Sequence, residues 1–479
     1  MASGVSGRAE PAMSAPGYVK KLQGQLALVD MHEQGAEYVI VGDDGAITPF
    51  ASRGVKPPKK DKDGNDIELG AIVGLNCPTD PVTGQCSYIS SNDTILISGA
   101  ATPTAVGKPI SQRLLVMIID YSTTCGQAAN LTEADVRTLY LGAAGDGSAG
   151  HALKFEQCSY GSFIINATAF TVITVQPWCN ATISTSCSYS AISGGADAAA
   201  KALIGTAAFA TYTHYTYILP TGYESICRWS GLALLPGKQT WLQTSNYGVR
   251  RWATVMQETI HNYGLWHSWQ NGVEYDDYST SMGRGNACPN AAEISRMGWA
   301  SPASNGGAIN ATTMPAGSAV TFSLPATSLT GSGNYLRIRP NWLASYGGVL
   351  TAKNLYIAVR VSRIGDAALS ASYAPRINVH EVNATMDNAY PTSYVNGDRQ
   401  IAFIGSVVNL TSVTFPAYNL VVYSGAWPLA TAAAAVAAIA PAFAAATIAA
   451  KPKAAIAATT AATKPKATFA LAPAQGQRR

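Results

Sequence analysis

The hydrophobic pattern of the chain changes twice, and the changes divide it into regions. From Val19 to about residue 105, short stretches such as LQGQLALVDM and AEYVIVGDDGAITPF alternate apolar and polar positions between turn-forming residues. This alternation is typical of half-buried β-strands. We therefore predict a β-rich N-terminal domain over residues 19–105, preceded by a disordered N-terminus over residues 1–18.

A different pattern of apolar and polar residues begins at Arg113. The run RLLVMIID is continuously apolar, which indicates a strand buried on both faces. In the next segment, LTEADVRTLYLG, Thr132 is placed to cap a helix and Gly142 to end it. Three more strand patterns follow (FIINATAFTVITV, TYTHYTYILP and QTWLQT), and the stretch GVRRWATVMQETIHNYG is helical in pattern. Because strands and helices are intermixed, residues 110–300 are predicted to form an α/β domain.

Strand patterns without helices return over residues 308–424, at spacings typical of a β-sandwich domain. Residues 426–479 form a low-complexity tail rich in Ala, Pro and Lys, which we interpret as disordered. The stretch Ala426–Ala450 is uncharged, but Ala partitions weakly into lipid and Pro428 and Pro441 interrupt it. No stable membrane insertion is therefore expected.

Charge argues against nucleic-acid binding. The net charge of +4 combines +6 in the tail with −2 in the rest of the chain, so the basic excess does not lie on a folded domain. The tail has no acidic residue, and its basic residues are Lys451, Lys453, Lys464, Lys466, Arg478 and Arg479.

Cysteines and glycosylation sequons point to an oxidising, secretory environment. The eight cysteines include no CxxC pair, so disulfides are favoured over a structural zinc site. They are Cys77, Cys86, Cys125, Cys158, Cys179, Cys187, Cys227 and Cys288. Seven N-x-[ST] sequons begin at Asn92, Asn130, Asn166, Asn180, Asn310, Asn383 and Asn409. The first residues contain no apolar signal-peptide core, so we expect a leader that is not present in this chain.

The candidate chemistry lies in VMQETIHNYGLWHSW. Gln257 and His261 are four residues apart, so a helix places both on one face, with Glu258 beside them. Gly264 can adopt a left-handed conformation and turn the chain, which allows His267 to join as a third metal ligand. This is the order of parts in the extended zincin motif of metzincins, with Gln in place of the first His.

A second motif, YDDYSTSMG, places Met282 fifteen residues after His267. Metzincins have a tight turn at this position, the Met-turn, whose methionine lies beneath the metal. Asp277 and Ser279 in the same motif are interpreted as residues that form the turn. The other histidines (His32, His151, His214 and His380) have no ligand spacing and are interpreted as ordinary surface or core residues.

Together with CPNAAEISRMGWA, these motifs resemble the gametolysin family, metzincin-type metallopeptidases of volvocine algae. The resemblance covers roughly residues 110–300 and implies a metzincin-like α/β catalytic domain, flanked by the N-terminal β-rich domain and the C-terminal β-sandwich. It also implies a secreted endopeptidase that cleaves extracellular-matrix or cell-wall glycoproteins. The family includes members with Gln in the first ligand position.

The resemblance assigns roles to individual residues. Gln257, His261 and His267 would be the metal ligands, Glu258 the general base that takes a proton from metal-activated water, and Met282 a structural residue. Either Tyr275 or Tyr278 is a weaker candidate for stabilising the oxyanion. The amide oxygen of Gln is a weaker donor than imidazole, so the affinity for zinc should be lowered. The expected cofactor is Zn²⁺, and Cu²⁺ is the alternative because sites with imidazole ligands bind Cu²⁺ more tightly than Zn²⁺.

Two alternatives remain open at this point. The chain could be a catalytically inactive matrix or wall-binding glycoprotein that keeps the fold, and its oligomeric state is unknown. If the N-terminal region is a pro-domain, a thiolate of Cys77 or Cys86 could block the metal, although their separation of nine residues favours a disulfide across a turn. The other six cysteines allow 15 pairings.

Overall fold

A computed structural model of the protein describes most of the chain, and two compact units, residues 1–100 and 101–479, make it up. The N-terminus predicted to be disordered, residues 1–18, and most of the tail lie outside the described residues. The described residues are 19–31, 35–50, 55–79, 86, 88–100, 109–348, 351–389, 400–425, 435–438 and 467–473.

The first unit contains an antiparallel sheet, with strand order β5-β4-β1-β2-β3. Its strands are β1 (Val19–Asp30), β2 (Ala36–Val41), β3 (Ile47–Pro49), β4 (Ile72–Pro78) and β5 (Thr94–Ser98). A disulfide joins Cys77 on β4 to Cys86. The predicted disulfide is therefore confirmed, and neither cysteine has a thiol that could block a metal.

The first part of the second unit mixes strands and helices. The strands are β6 (Ile110–Gln112), β7 (Leu114–Tyr121), β8 (Gln127–Ala128), β9 (Phe163–Ile165), β10 (Thr171–Val175), β11 (His214–Ile218), β12 (Gly231–Leu235), β13 (Gln239–Leu242), β14 (Ser268–Gln270) and β15 (Val273–Glu274). The helices are α1 (Glu133–Leu141), α2 (Gly150–Ser159), α3 (Ala181–Ser186), α4 (Tyr189–Ile204), α5 (Thr206–Phe209), α6 (Glu224–Cys227), α7 (Trp252–His261) and α8 (Ala291–Arg296).

Five of these strands pair in the order β10-β7-β11-β13-β12. All run parallel except β12, which is antiparallel to β13. The apolar run that begins at Arg113 becomes β7, which is buried along nearly its whole length between two parallel neighbours. Thr132 caps α1 through a capping box with Asp135, and Gly142 ends the helix, as predicted.

The single strand predicted from FIINATAFTVITV is two strands, β9 and β10. Between them the side chain of Asn166 accepts a hydrogen bond from the backbone N–H of Ala169, 3.0 Å away, and so stabilises a turn. Apolar residues flank this turn on both sides, so the pattern alone reads as continuous. The expectation of a mixed α/β fold with several sheets is confirmed.

The second part of this unit is richer in strands. It contains β16 (Val320–Leu324), β17 (Tyr335–Ile338), β18 (Lys353–Arg360), β19 (Arg376–Asn383), α9 (Ala384–Ala389), β20 (Ile401–Val407), β21 (Ser412–Phe415), β22 (Leu420–Ser424), β23 (Ala435–Ala438) and β24 (Ala467–Pro473). One sheet has the order β15-β14-β20-β19-β18-β17 and another the order β16-β23-β24-β22-β21, with β16 also paired to β24. Residues of both sheets, among them Leu355, Val379 and Leu420, share one hydrophobic core.

Three features of this part differ from the sequence prediction. A short helix, α9, lies in a region where we expected strands alone. Two strands, β23 and β24, lie in the tail that we interpreted as disordered, because β16 and β22 offer backbone edges with which they pair. Finally, β14, from the region predicted as catalytic, pairs with β20, from the region predicted as a β-sandwich.

Three further disulfides join Cys125 to Cys179, Cys158 to Cys288 and Cys187 to Cys227. With the pair in the first unit they use all eight cysteines, so the expectation of disulfides is confirmed. In the part of the chain that the structure describes, no helix has both the length and the hydropathy to cross a membrane. Most of Ala426–Ala450, the uncharged stretch of the tail, lies outside that part.

Candidate metal centre and active site

Helix α7 carries the first three residues of the predicted site. It lies against β12, and every residue from Ala253 to His261 is buried. Gln257 and His261 stand one helical turn apart on the same face, as the motif predicts. A helix buried on all sides holds its side chains in fixed directions, which suits groups that must meet in one geometry.

The helix ends at a turn that brings the second histidine into place. The backbone N–H of Gly264 donates to the carbonyl of His261, 2.8 Å away, and Gly264 has φ +85°, the left-handed conformation that we predicted. The chain then reverses, and the imidazole of His267 meets that of His261 edge-on, with ring centroids 4.6 Å apart. Both side chains are buried.

Hydrogen bonds fix which nitrogen each histidine can offer to a metal. Nδ1 of His261 lies 2.6 Å from the carbonyl oxygen of Leu265, and Nδ1 of His267 lies 2.9 Å from Oε1 of Glu274. Because both partners are acceptors, each Nδ1 carries the proton and each Nε2 carries the lone pair. Histidines that bind metals are held in this way, by a carbonyl or a carboxylate on the opposite nitrogen.

The donors therefore fit a metal ion. Together with the amide oxygen of Gln257, the two imidazole Nε2 atoms would make a neutral nitrogen-and-oxygen set, which suits Zn²⁺ or Cu²⁺ and is too poor in oxygen for Mg²⁺ or Ca²⁺. The carboxylate of Glu274 makes the imidazole of His267 a stronger donor.

Glu258, the predicted base, follows Gln257 on α7 and is buried, and a glycine leaves the space for its side chain. A Cβ atom on Gly231, the first residue of β12, would lie 2.6 Å from both Cγ and Oε1 of Glu258. Real contacts to a Cβ atom are essentially never shorter than 3.0 Å. The side chain of Glu258 therefore lies against Gly231, where the Cβ atom of any other residue would force it to shift.

Met282 is fully buried and shares a hydrophobic core with Val255 and Ile260 of α7. Its carbonyl accepts a hydrogen bond from the backbone N–H of Ser268, 2.8 Å away, which ties the turn to the residue that follows His267. Its own N–H donates to Oγ1 of Thr280 at 3.1 Å. The methionine thus lies in a tight, closely held turn, as the motif predicts.

Two buried carboxylates hold this turn. Oε2 of Glu293 accepts a hydrogen bond from Oγ1 of Thr280, and burial raises the pKa of Glu293 to about 8. Burial would also raise the pKa of Asp277, but hydrogen bonds and the charge of His380 hold it below its usual range. Oδ1 of Asp277 accepts from the backbone N–H of Ser279 at 2.8 Å, the turn chemistry predicted for this pair.

The structure distinguishes the two candidate tyrosines. The ring of Tyr275 lies 3.9 Å from that of His267, centroid to centroid. Tyr275 also has φ +65°, a conformation that is uncommon for a side chain of this size. Tyr278, by contrast, is 46% exposed. Of the two tyrosines, Tyr275 is therefore the one that contacts His267, a predicted ligand.

The remaining histidines have different environments. Nε2 of His151 lies 2.8 Å from the carbonyl of Val249 in the core, and burial lowers its pKa to about 4. Burial also lowers the pKa of His214, to about 3. Both are ordinary packed residues, as interpreted, and His32 lies outside the described residues. His380, which we also interpreted as ordinary, is buried against Asp277 in the network behind the turn.

Sequence reasoning missed three residues that lie in or behind the candidate site: Glu274, Gly231 and His380. A signal for Glu274 was present, because Asn271-Gly272 is the dipeptide that most strongly favours a two-residue hairpin. Both residues have positive φ, and the hairpin places Glu274 opposite Trp269, close to His267. No local signal marks Gly231 or His380, since each reaches the site through tertiary packing.

Comparison with known proteins supports the interpretation of this region as a metallopeptidase site. The autolysin of Chlamydomonas reinhardtii is 37% identical over 98 residues, which cover 18% of this chain and 15% of that protein. The chain therefore spans a small part of that relative's length. No solved structure matches the chain. The sequence model of the family described as gametolysin peptidase M11 matches residues 113–417, more than half of the chain. The resemblance of the motifs is thereby confirmed, and the chain belongs to the gametolysin peptidase M11 family of metallopeptidases.

Proposed function

We propose that the protein is a secreted endopeptidase whose active site is formed by Gln257, His261 and His267 as metal ligands and Glu258 as general base. The observation that carries this proposal is the pair of histidines. Their rings are 4.6 Å apart, and each has its Nδ1 bound to an acceptor, so both Nε2 atoms are poised as donors. Family membership supports the peptidase activity.

The proposed cofactor is Zn²⁺, with Cu²⁺ as the alternative. When bound, such an ion supplies Lewis-acid chemistry, because it acidifies water and polarises the carbonyl group of the peptide bond. Gln257 contributes a neutral oxygen where imidazole would contribute a nitrogen, so the affinity for either metal is lower than that of a three-histidine site.

The chain's own residues provide the proton transfer. Glu258 follows Gln257 on α7, so its carboxylate emerges beside the ligands and not among them. Its contact with Gly231 fixes its position, and burial strengthens its electrostatic interactions. In the proposed reaction Glu258 accepts a proton from the attacking water and passes it to the leaving amine. Met282 supports the site from below and takes no part in proton transfer.

Replacement of the base tests the activity directly. In Glu258→Gln the side chain keeps its shape and loses its basicity, so we expect cleavage of a peptide library to fall about 10²- to 10⁴-fold. The matched control is Glu156→Gln, an exposed glutamate on α2, which should keep wild-type activity. If Glu258→Gln cleaves as fast as the wild type, the proposal is wrong and the alternative, a catalytically inactive wall-binding protein, becomes the better account.

Metal analysis tests the ligand set. We expect about one Zn²⁺ or Cu²⁺ per chain in the wild type. In Gln257→His the zinc affinity should be about 10-fold or more higher, because even the loss of a residue that only hydrogen-bonds to a ligand can alter metal affinity by that amount. If Gln257→His leaves the zinc affinity unchanged, Gln257 is not a ligand. If the wild type binds no metal, the active-site proposal fails.

The proposed substrates are glycoproteins of the extracellular matrix or cell wall, and the proposed location is extracellular. Four disulfides fit an oxidising compartment, and similarity to an algal autolysin supports a wall substrate. Purified protein should release fragments from an isolated volvocine wall-glycoprotein preparation, and Glu258→Gln should release none. If wild type and variant give the same fragment pattern, the substrate assignment is wrong.

A further inference from the structure

The segment that carries the third ligand is attached at several points to strands β17 to β20, which we call the C-terminal sheet. Ser268 follows His267 directly and begins β14, and β14 pairs in parallel with β20. The Oγ atom of Ser268 also lies 3.2 Å from the carbonyl oxygen of Ile401 on β20. His267 therefore enters the site from the end of a strand whose neighbour lies far along the chain.

A buried hydrogen-bonded network makes a second connection. Nε2 of His380, on β19, lies 3.1 Å from Oδ2 of Asp277 and 3.2 Å from Oγ of Ser279. The same Oδ2 accepts a hydrogen bond from Oγ of Ser268 at 2.7 Å. All four side chains are at most 1% exposed. Two hydrogen bonds thus link an imidazole on the C-terminal sheet to the residue next to His267.

A third connection lies beyond the Met-turn. Arg360 and Asp366 form a fully buried ion pair at 2.7 Å. Asp366 accepts from the backbone N–H of Cys288 at 2.9 Å, and Arg360 donates to the carbonyl of the same residue at 3.0 Å. Cys288 in turn is bonded to Cys158 on α2. The segment from His267 to Cys288 is therefore held at its start, in its middle and at its end.

We propose that His380 is a positioning residue for the metal centre, acting through Asp277 and Ser268 to fix the direction of His267. The inference rests on the proposed function, since it takes His267 to be a metal ligand. On this proposal the C-terminal sheet helps to position a metal ligand of the peptidase site. The hydrogen bonds of His380 go to Asp277 and Ser279, so it would act on the ligand through them.

Loss of His380 should disturb the site because it removes a hydrogen bond from the buried carboxylate of Asp277. Asp277 is buried and accepts hydrogen bonds from Ser268, Ser279 and His380, so loss of His380 leaves a buried carboxylate with less support. The carboxylate can then recover only by moving, and Ser268 moves with it. The backbone N–H of Ser268 also donates to the carbonyl of Met282. A shift of Ser268 therefore changes the position of both His267 and the turn that contains Met282.

The experiment measures zinc affinity, not peptidase activity. Full-length protein is stripped of metal, and Zn²⁺ is titrated in competition with a chromophoric chelator. We expect His380→Leu to raise the Kd for Zn²⁺ about 10- to 100-fold, as for other residues that orient a metal ligand. His380→Gln keeps an N–H donor near the position of Nε2, so its Kd should stay within about threefold of the wild type.

Ser268→Ala keeps the proposal testable if His380→Leu does not fold. It removes the hydroxyl that joins Asp277 to the ligand segment and leaves the pairing of Asp277 with His380 intact, so the Kd should rise about 10-fold. The matched control is Ser193→Ala. Its hydroxyl is also buried but bonds to Tyr189 within α4, so its loss should leave the Kd unchanged.

The outcomes separate the two proposals. If the wild type binds no Zn²⁺, the proposed function fails, and this inference fails with it. If the wild type binds Zn²⁺ and both folded variants, His380→Leu and Ser268→Ala, bind equally well, only the positioning role is overturned. If His380→Gln loses as much affinity as His380→Leu, a hydrogen bond from this position is not what matters, which also overturns the proposal.

Discussion

The contact between Gly231 and Glu258 gives the sharpest prediction about catalysis. In Gly231→Ala the new Cβ would lie 2.6 Å from Oε1 and Cγ of Glu258, and an ordinary contact needs about 3.4 Å. The carboxylate must therefore move by about 0.8 Å, and burial leaves it little room to do so elsewhere. A misplacement of about 1 Å can cost about 10²-fold in rate. We expect kcat/KM to fall about 100-fold, which corresponds to about 2.7 kcal/mol in the activation barrier.

The fold should survive this substitution. Gly231 does not have a positive φ, so alanine can adopt its backbone conformation. Replacing glycine by alanine also removes freedom from the unfolded chain, worth about 0.4–1 kcal/mol, and this offsets part of the strain. The matched control is Gly194→Ala in α4, where a Cβ meets nothing within 4 Å, and which should keep full activity. Peptide-cleavage kinetics and thermal unfolding of both variants provide the measurement.

A double-variant cycle tests whether the effect passes through Glu258. Once the base is removed, its position no longer matters, so adding Gly231→Ala to Glu258→Gln should lower the residual activity less than about threefold. If the full 100-fold loss persists in that background, Gly231 acts on some other part of the site. If folded Gly231→Ala has wild-type kcat/KM, Glu258 is not held where the structure places it, or is not the base.

Three further predictions concern stability. Because burial raises the folded-state pKa of Glu293 from 4.5 to about 8, the folded protein binds more protons than the unfolded chain between these values. The free energy of unfolding should therefore fall by up to about 4 kcal/mol as the pH rises from 5 to 8. Chemical denaturation at several pH values should show this fall in the wild type and not in Glu293→Gln. Equal pH dependence in the two proteins would contradict the prediction. The disulfide between Cys158 and Cys288 spans 130 residues, so replacing both by Ser should cost about 5 kcal/mol in the chain-entropy account; an unchanged urea midpoint would refute this. Removal of the metal with 1,10-phenanthroline should lower Tm, and Zn²⁺ at 100 times its Kd should restore about 2.7 kcal/mol; a Tm indifferent to both would count against a metal site.

The parts of the site that sequence predicts well are those encoded locally. The spacing of Gln257 and His261, and the turn at Gly264, follow from helical geometry and from the conformational freedom of glycine. Both features appear as expected, and the turn brings His267 to His261. The capping of α1 by Thr132 was predictable for the same reason, since a cap and its partner lie three residues apart.

The parts that sequence does not predict depend on distant contacts. The pattern of GLALL does not distinguish a strand from a buried helix segment, so β12 was not predicted, nor was the role of Gly231 at its start. RINVHEV lies in the stretch 308–424 that we predicted to form strands, and it is one, but a strand pattern does not say that its histidine faces a carboxylate 103 residues earlier. The pairing of β23 and β24 with β16 and β22 likewise depends on backbone edges that composition does not reveal.

Gln257, the proposed first ligand, is best understood together with Glu274. Exchange of an imidazole for an amide changes the strength of one donor but not the charge of the set, because both groups are neutral. A carboxylate bonded to the imidazole of His267 at 2.9 Å raises the basicity of that ligand and brings negative charge towards the ion. In the proposed site, the weaker donor at Gln257 would thus be partly offset at His267, through the hairpin formed at Asn271 and Gly272. On the proposed ligand set, a site with a weak first ligand depends more heavily on the residues that orient the third, and Glu274 and the proposed network of His380 both act on that ligand.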